Sequence, residues 1–116
     1  MVSQTEKQRW TPDRSQYSTM STDCLRNSFL VDGLFCADEI CLVITDLDRA
    51  IVGGVVPLER DLTFEVPDEL RACYFCERRE LGIINLGGSG SVHVDGESIN
   101  LDESECLYVG LGNRNI

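Results

Sequence analysis

Histidine is nearly absent: the 116 residues hold one, His93. A catalytic zinc needs about three nitrogen, oxygen or sulfur ligands converging on one open site, and a single imidazole cannot supply the usual cluster. Basic charge is scarce too. Ten Lys and Arg face twenty Asp and Glu, a net charge of −10. With no basic patch, nucleic acid is excluded as an expected partner, and so is an anionic membrane surface. No stretch approaches the eighteen or so apolar residues of a membrane span, so no transmembrane helix is expected. The opening MVSQTEKQRWTPD lacks an apolar h-region and does not read as a secretory signal. A cytoplasmic location is the resulting expectation.

Cysteine is not scarce: there are six. Without a secretory signal they read as reduced, small, buried hydrophobes. Cys73 and Cys76 form a CxxC, but no second pair or matching histidines accompany it. The setting Ala-Cys-Tyr-Phe-Cys reads as a strand, where residues three apart point to opposite faces. Core packing is therefore preferred to zinc or redox use of this pair.

The stretch from Tyr74 to Gly96 organises the chain. It runs from the charge cluster Glu77-Arg78-Arg79-Glu80 through an apolar segment, Leu81 to Leu86, to a glycine corner at residues 87–90. A short alternating strand, Ser91 to Val94, then reaches Asp95-Gly96. Asp-Gly between alternating segments predicts a two-residue hairpin turn, because both central residues need positive φ. Further strands are expected at Ile40 to Thr45, Ala50 to Pro57, Thr63 to Val66, Cys73 to Phe75, Glu97 to Leu101 and Cys106 to Val109. A second hairpin is expected at the glycine corner. Gly53-Gly54 suggests a bulge or a close backbone approach, not a phosphate loop, since no Gly-Lys-Ser/Thr follows. Asp23 to Val31 reads as either a helical turn or a short strand. Residues 1–22 read as a flexible polar lead carrying Trp10, and residues 23–116 as the folded body. Short strands at regular spacing, with turn signals between them, predict an all-β sandwich or barrel.

Asp46-Leu47-Asp48-Arg49 is a polar corner. It suits a cation or a sugar, but a solvated turn with a local ion pair is the preferred reading.

In order and at compatible spacing, six segments carry a resemblance: Leu25 to Val31, Ala37 to Glu39, Asp48 to Gly54, Glu77 to Gly88, Val94 to Gly96 and Leu107 to Gly112. Together they resemble the N-terminal half of 5-keto-4-deoxyuronate isomerase, also called 4-deoxy-L-threo-5-hexosulose-uronate ketol-isomerase. The resemblance implies a two-part, cupin-like, antiparallel β-sandwich enzyme of pectin and hexuronate breakdown. It implies interconversion of 5-dehydro-4-deoxy-D-glucuronate with 3-deoxy-D-glycero-2,5-hexodiulosonate, a zinc ion, and a homo-oligomer, a hexamer, as the full protein. Members of that family are more than twice as long and carry their zinc ligands in the second half, so those ligands are expected beyond Ile116. On this reading the chain is a fragment, truncated at its C-terminal end and inactive alone.

The cupin metal pattern, laid on this chain, matches Glu80 and Gly87 but puts Tyr74 and Cys76 where two histidines belong. These degenerate positions imply no metal and no catalytic residue in this chain. Isomerisation moves a proton between adjacent carbons through an enediol, and a zinc ion would polarise the carbonyl. A uronate substrate is an anion, and arginine is its natural bidentate partner. Arg78, Arg79 and Arg49 are thus the candidate substrate-binding residues, with ion pairing of Arg78 and Arg79 to Glu77, Glu80 or a neighbouring subunit as the plainer reading. The alternative to an isomerase portion is a non-catalytic cupin-like module for sugar-acid binding or assembly.

Overall fold

A computed structural model describes residues 4–116. The chain divides into two compact units, Met1–Leu62 and Thr63–Ile116. In chain order the first holds β1 (Gln4–Arg9), α1 (Arg14–Tyr17), α2 (Thr22–Phe29), β2 (Ile40–Thr45) and β3 (Ile51–Val55). The second holds a 3-10 turn at Asp68–Leu70, β4 (Leu81–Ile84), β5 (Gly90–Val94), β6 (Glu97–Leu101) and β7 (Cys106–Val109).

The first unit is built around β2. Ile40, Cys41, Leu42 and Val43 are all buried. A strand covered on both faces reads as a continuous apolar run, not an alternation, and Ile-Cys-Leu-Val-Ile is such a run. β1 pairs with it in parallel on one side and β3 antiparallel on the other. Sequence reading placed residues 4–9 in a flexible lead, and the structure corrects this: they form an edge strand. Gln-Thr-Glu-Lys-Gln-Arg has no apolar alternation, so local pattern could not reveal it. The open edge of β2 supplies the ladder, and strand formation follows the partner more than the sequence. Residues 1–3 of that lead lie outside the described residues.

Beyond β1, Asp13 caps α1 by a reciprocal box with Gln16. Ser21 caps α2, its hydroxyl accepting from the Cys24 amide at 3.2 Å. Asp23 adds a favourable charge in the first turn. These signals settle the helix-or-strand ambiguity of residues 23–31 in favour of helix. Gly54 is a close backbone approach, one of its two expected readings: a Cβ there would overlap the Leu34 carbonyl.

In the second unit β4 pairs with β7 and β5 with β6, both antiparallel. Asp95 and Gly96 have φ of 48° and 88°, the left-handed pair that a tight hairpin requires. The glycine corner does not close a hairpin, because β4 takes β7 as partner and not β5. Asn85 makes the handover instead. Its side-chain nitrogen donates to the Gly88 and Leu101 carbonyls, each at 2.9 Å, and its side-chain oxygen accepts from the Gly87 amide at 3.0 Å. Its backbone bonds Glu105 and Ser104 in the turn before β7.

Two expected strands are absent. Residues 63–66 and 73–75 are irregular, broken by Pro67, which has no N–H to give a ladder, and by Arg71 at φ 46°. The irregular segment still builds the core. Phe75 and Cys76 are buried with Pro67, Leu101 and Val109, and the Phe64 and Phe75 rings lie 4.9 Å apart.

Among the described residues strand outweighs helix, which is compatible with an all-β class, although the β1–β2 pair is parallel. None of their helices is long and apolar enough to cross a membrane.

Glycine at 54 is a packing requirement, whereas the Gly82 Cα faces open space. Gly54→Ala is expected to lower stability in urea unfolding by about 1–3 kcal/mol, and Gly82→Ala to change it little. Equal effects would refute the close approach.

Candidate functional site

Arg49 lies in the first unit, in the corner between β2 and β3, at φ 57°. It lines a cavity of about 250 Å³ with Gln8, Arg9, Trp10, Ile44, Thr45 and Asp46. The expected ion pair within this corner is not what holds it. Asp46 instead accepts from Thr11: the amide at 2.9 Å and the hydroxyl at 2.7 Å. These bonds, hydroxyl first, pull the Asp46 carboxyl below its ordinary pKa. They also tie the chain just after Trp10 to the corner that bears Arg49. Arg9 Nε is buried there and has no hydrogen-bond partner among the described residues. An orphan donor in a cavity wall calls for an acceptor. The cavity therefore brings two guanidinium groups and an indole to one surface. Sequence reading found Arg49 but not Arg9 or Trp10 as its neighbours, since the parallel pairing that joins them crosses more than thirty residues.

Arg78 and Arg79 lie in the second unit, ahead of β4. Arg78 donates to the Arg71 carbonyl at 2.7 Å, and its Nε is 3.8 Å from Glu77. Glu77 in turn accepts from the Cys73 amide at 3.0 Å. Arg78 is thus engaged as the plainer reading held, on Glu77 and on a backbone carbonyl. Arg79 is close enough to Cys76 to favour its thiolate, but burial outweighs this and pushes the Cys76 thiol up.

The residues at the cupin metal register do not fit a zinc ion. Cys76 is fully buried, and a raised thiol is a poor source of thiolate. The Arg114 guanidinium carbon lies over the Tyr74 ring, 4.9 Å from the ring centroid. Glu80 accepts from the Tyr108 hydroxyl, which raises the phenol's pKa. His93 is on β5, in the hairpin with β6.

The cysteines also differ from their expected role. All six are free, but only Cys41 and Cys76 are buried, while Cys24, Cys73 and Cys106 are exposed. One cluster escaped the sequence reading: donor atoms of Cys36, Glu39 and Cys41 all lie within 4.8 Å of one another. Its signal was a Cys-x2-Glu-x-Cys spacing at the entry to a strand.

The chain is similar in sequence to known proteins over most of its length. The chain is 50% identical over 95 residues to the 4-deoxy-L-threo-5-hexosulose-uronate ketol-isomerase of Lachnospira eligens, covering 82% of this chain and 34% of that protein. The enzyme of the same name from Halalkalibacterium halodurans is 47% identical over 96 residues, 83% of this chain and 35% of its own length. That of Escherichia coli (strain SMS-3-5 / SECEC) is 45% identical over 100 residues, 84% and 36% respectively. The chain spans about a third of the length of these curated relatives. No family model matches it.

The Glu80–Tyr108 contact gives a titration test. Glu80→Gln removes the negative charge that disfavours phenolate, so one of the three tyrosines should ionise at lower pH in an ultraviolet titration. An unchanged curve would mean that the pair does not form in solution.

Proposed function

From its kinship with the 4-deoxy-L-threo-5-hexosulose-uronate ketol-isomerases, we propose that this chain forms part of such an isomerase. It would supply cupin-like scaffold and substrate contacts for the enzyme that interconverts 5-dehydro-4-deoxy-D-glucuronate and 3-deoxy-D-glycero-2,5-hexodiulosonate in pectin and hexuronate breakdown. The observation that carries this reading is the identity of 45–50% across more than four-fifths of the chain. The zinc ligands of the working enzyme lie outside residues 1–116, consistent with the poor fit of Tyr74, Cys76 and Glu80 to a metal.

Within this chain Arg49 is the residue assigned to the uronate carboxylate, with Arg9 as its partner. A guanidinium matches a carboxylate with two parallel N–H donors, and the orphan Nε of Arg9 would gain the acceptor it lacks. Trp10 offers a flat apolar face to a sugar ring. Arg78 is the weaker candidate, because the Arg71 carbonyl and Glu77 already hold it. Arg79 has contacts of its own.

The assembly of the full enzyme, a soluble cytoplasmic homo-oligomer on this reading, draws support from the second unit. Gly82, Ile84, Cys106 and Tyr108 alternate onto one exposed face of the β4–β7 pair. Ile84 and Tyr108 are each 65% exposed. Apolar surface of this kind suits burial against further polypeptide. A second reading, a non-catalytic sugar-acid-binding module, is favoured by one observation: the Arg9–Trp10–Arg49 cavity lies wholly within the first unit.

Residues 1–116 alone are expected to leave 5-keto-4-deoxyuronate unconverted. Loss of a metal electrophile forfeits roughly a thousandfold or more in rate. A longer polypeptide carrying the remaining two-thirds of the relatives' length should show activity that a chelator abolishes. In it, Arg49→Gln is expected to raise KM roughly tenfold or more, through loss of a charged hydrogen bond. Activity of residues 1–116 that survives a chelator would overturn this reading. Galacturonate binding by residues 1–116, with no activity in the longer polypeptide, would favour the module.

A further inference from the structure

The entry to β2 gathers three metal-ligating groups of unlike origin. Cys41 is the second residue of the strand and is 7% exposed. Cys36 and Glu39 bracket a tight turn in which the Glu39 amide donates to the Cys36 carbonyl at 3.2 Å. That turn is held from several sides. The Asp38 amide donates to the Val56 carbonyl at 2.7 Å, and the Val56 amide to the Glu39 carbonyl at 3.3 Å. The Asp38 carboxylate accepts from the Leu58 and Glu59 amides, both at 2.8 Å, and Arg60 donates to the Asp38 carbonyl at 2.9 Å. The backbone that carries Cys36 and Glu39 is therefore held in place beside β2.

The two Cys Sγ atoms and a Glu39 carboxylate oxygen lie within 4.8 Å of one another. Around a tetrahedral zinc, Zn–S of about 2.3 Å and Zn–O of about 2.0–2.2 Å place ligand atoms about 3.5–3.8 Å apart. Small side-chain rotations close that gap. The Cys36 thiol now donates to the Gly33 carbonyl at 3.7 Å, a weak bond that is readily given up. The Cys41 sulfur lies within 4.8 Å of it, so the two sulfurs are in mutual reach. A cavity of about 180 Å³, lined by Cys36, Cys41, Asp32 and Lys7 among others, adjoins the sulfurs. It provides an entry path and room for a fourth ligand. Thiolates select thiophilic cations over magnesium or calcium, and the third, carboxylate donor distinguishes this arrangement from a simple thiol pair.

We propose that Cys36, Glu39 and Cys41 form a binding site for a thiophilic divalent cation of the zinc class, with its fourth coordination position open to the adjoining cavity. Binding displaces the thiol protons and leaves two thiolates and one carboxylate on the cation, with no change of oxidation state. It departs from the expectation of a chain without metal, which rested on the single histidine, the cupin register and the CxxC.

The test uses the 116-residue chain, kept reduced and stripped of metal, titrated with cobalt(II) and then zinc. Cobalt is expected to bind at one equivalent with thiolate-to-metal charge-transfer absorption, which zinc then bleaches. Cys36→Ser and Cys41→Ser should each lose that absorption, and Glu39→Gln should weaken affinity by about tenfold or more. Cys73→Ser should leave it unchanged. Far-ultraviolet circular dichroism checks the fold of each variant, and Cys36, which is only half-buried, gives a variant least prone to unfold. The proposal is overturned if the reduced chain shows no charge-transfer absorption, or if the absorption survives in folded Cys36→Ser.

Discussion

Aspartate carboxylates that accept backbone N–H groups hold the corners of both units. Asp38 accepts from Leu58 and Glu59, Asp46 from Thr11, and Asp95 from Arg114 and Asn115. Units this small bury few side chains, so hydrophobic burial alone leaves them marginal. Each carboxylate instead satisfies backbone donors that a loop would otherwise leave to water, with charge-assisted bonds stronger than neutral ones. Asp38 and Asp95 do so from left-handed backbone, at φ 56° and 48°, which aspartate tolerates better than most residues. All three carboxyls are held below their ordinary pKa, and hydrogen bonds to the ionised form are the leading cause in each case.

These corners decide where the chemistry stands. The Asp38 clamp fixes the turn between Cys36 and Glu39, and with it the donor cluster at the head of β2. Asp46 anchors Thr11, so Trp10 is held near Arg49 in the cavity wall. Asp95 fastens residues 114 and 115 to the β5–β6 hairpin, and the Arg114 guanidinium then covers Tyr74. A side chain placed by its neighbour's backbone bonds is pre-organised for a ligand, at the expense of turns that few residues would adopt unaided.

Strands that carry their own pattern were legible. Ile40–Thr45, Glu97–Leu101 and Cys106–Val109 stand where apolar runs or alternation put them, and Asp95-Gly96 turns as its dipeptide demands. What stayed hidden depends on partners distant in sequence. β1 is a strand only because β2 offers an edge. The glycine corner looked like a hairpin because nothing local says that β4 will pair with β7. Cys73 to Phe75 has strand composition, but Arg71 in the left-handed region and the Glu77-to-Tyr74 turn keep it irregular. Among candidate site residues, Arg49 was found by its charge in a corner. Arg9 was not, because its role comes from the register of a parallel pair. Kinship was legible, since relatives at 45–50% identity carry the name that the six segments suggested.

The central physical claim is that ionised Asp38, Asp46 and Asp95 hold the corners. A group whose folded pKa is depressed contributes stability that is present above its unfolded value, about 3.9 for aspartate, and is lost as pH falls through the lower folded value. Carbon-13 titration of the side-chain carboxyls measures this directly. Three aspartates, assigned as 38, 46 and 95, should titrate below the ordinary range, and the Leu58, Thr11 and Asn115 amide resonances should shift with them. If these carboxyls titrate at the ordinary value, with no response from those amides, the corners are held by something else and the account fails.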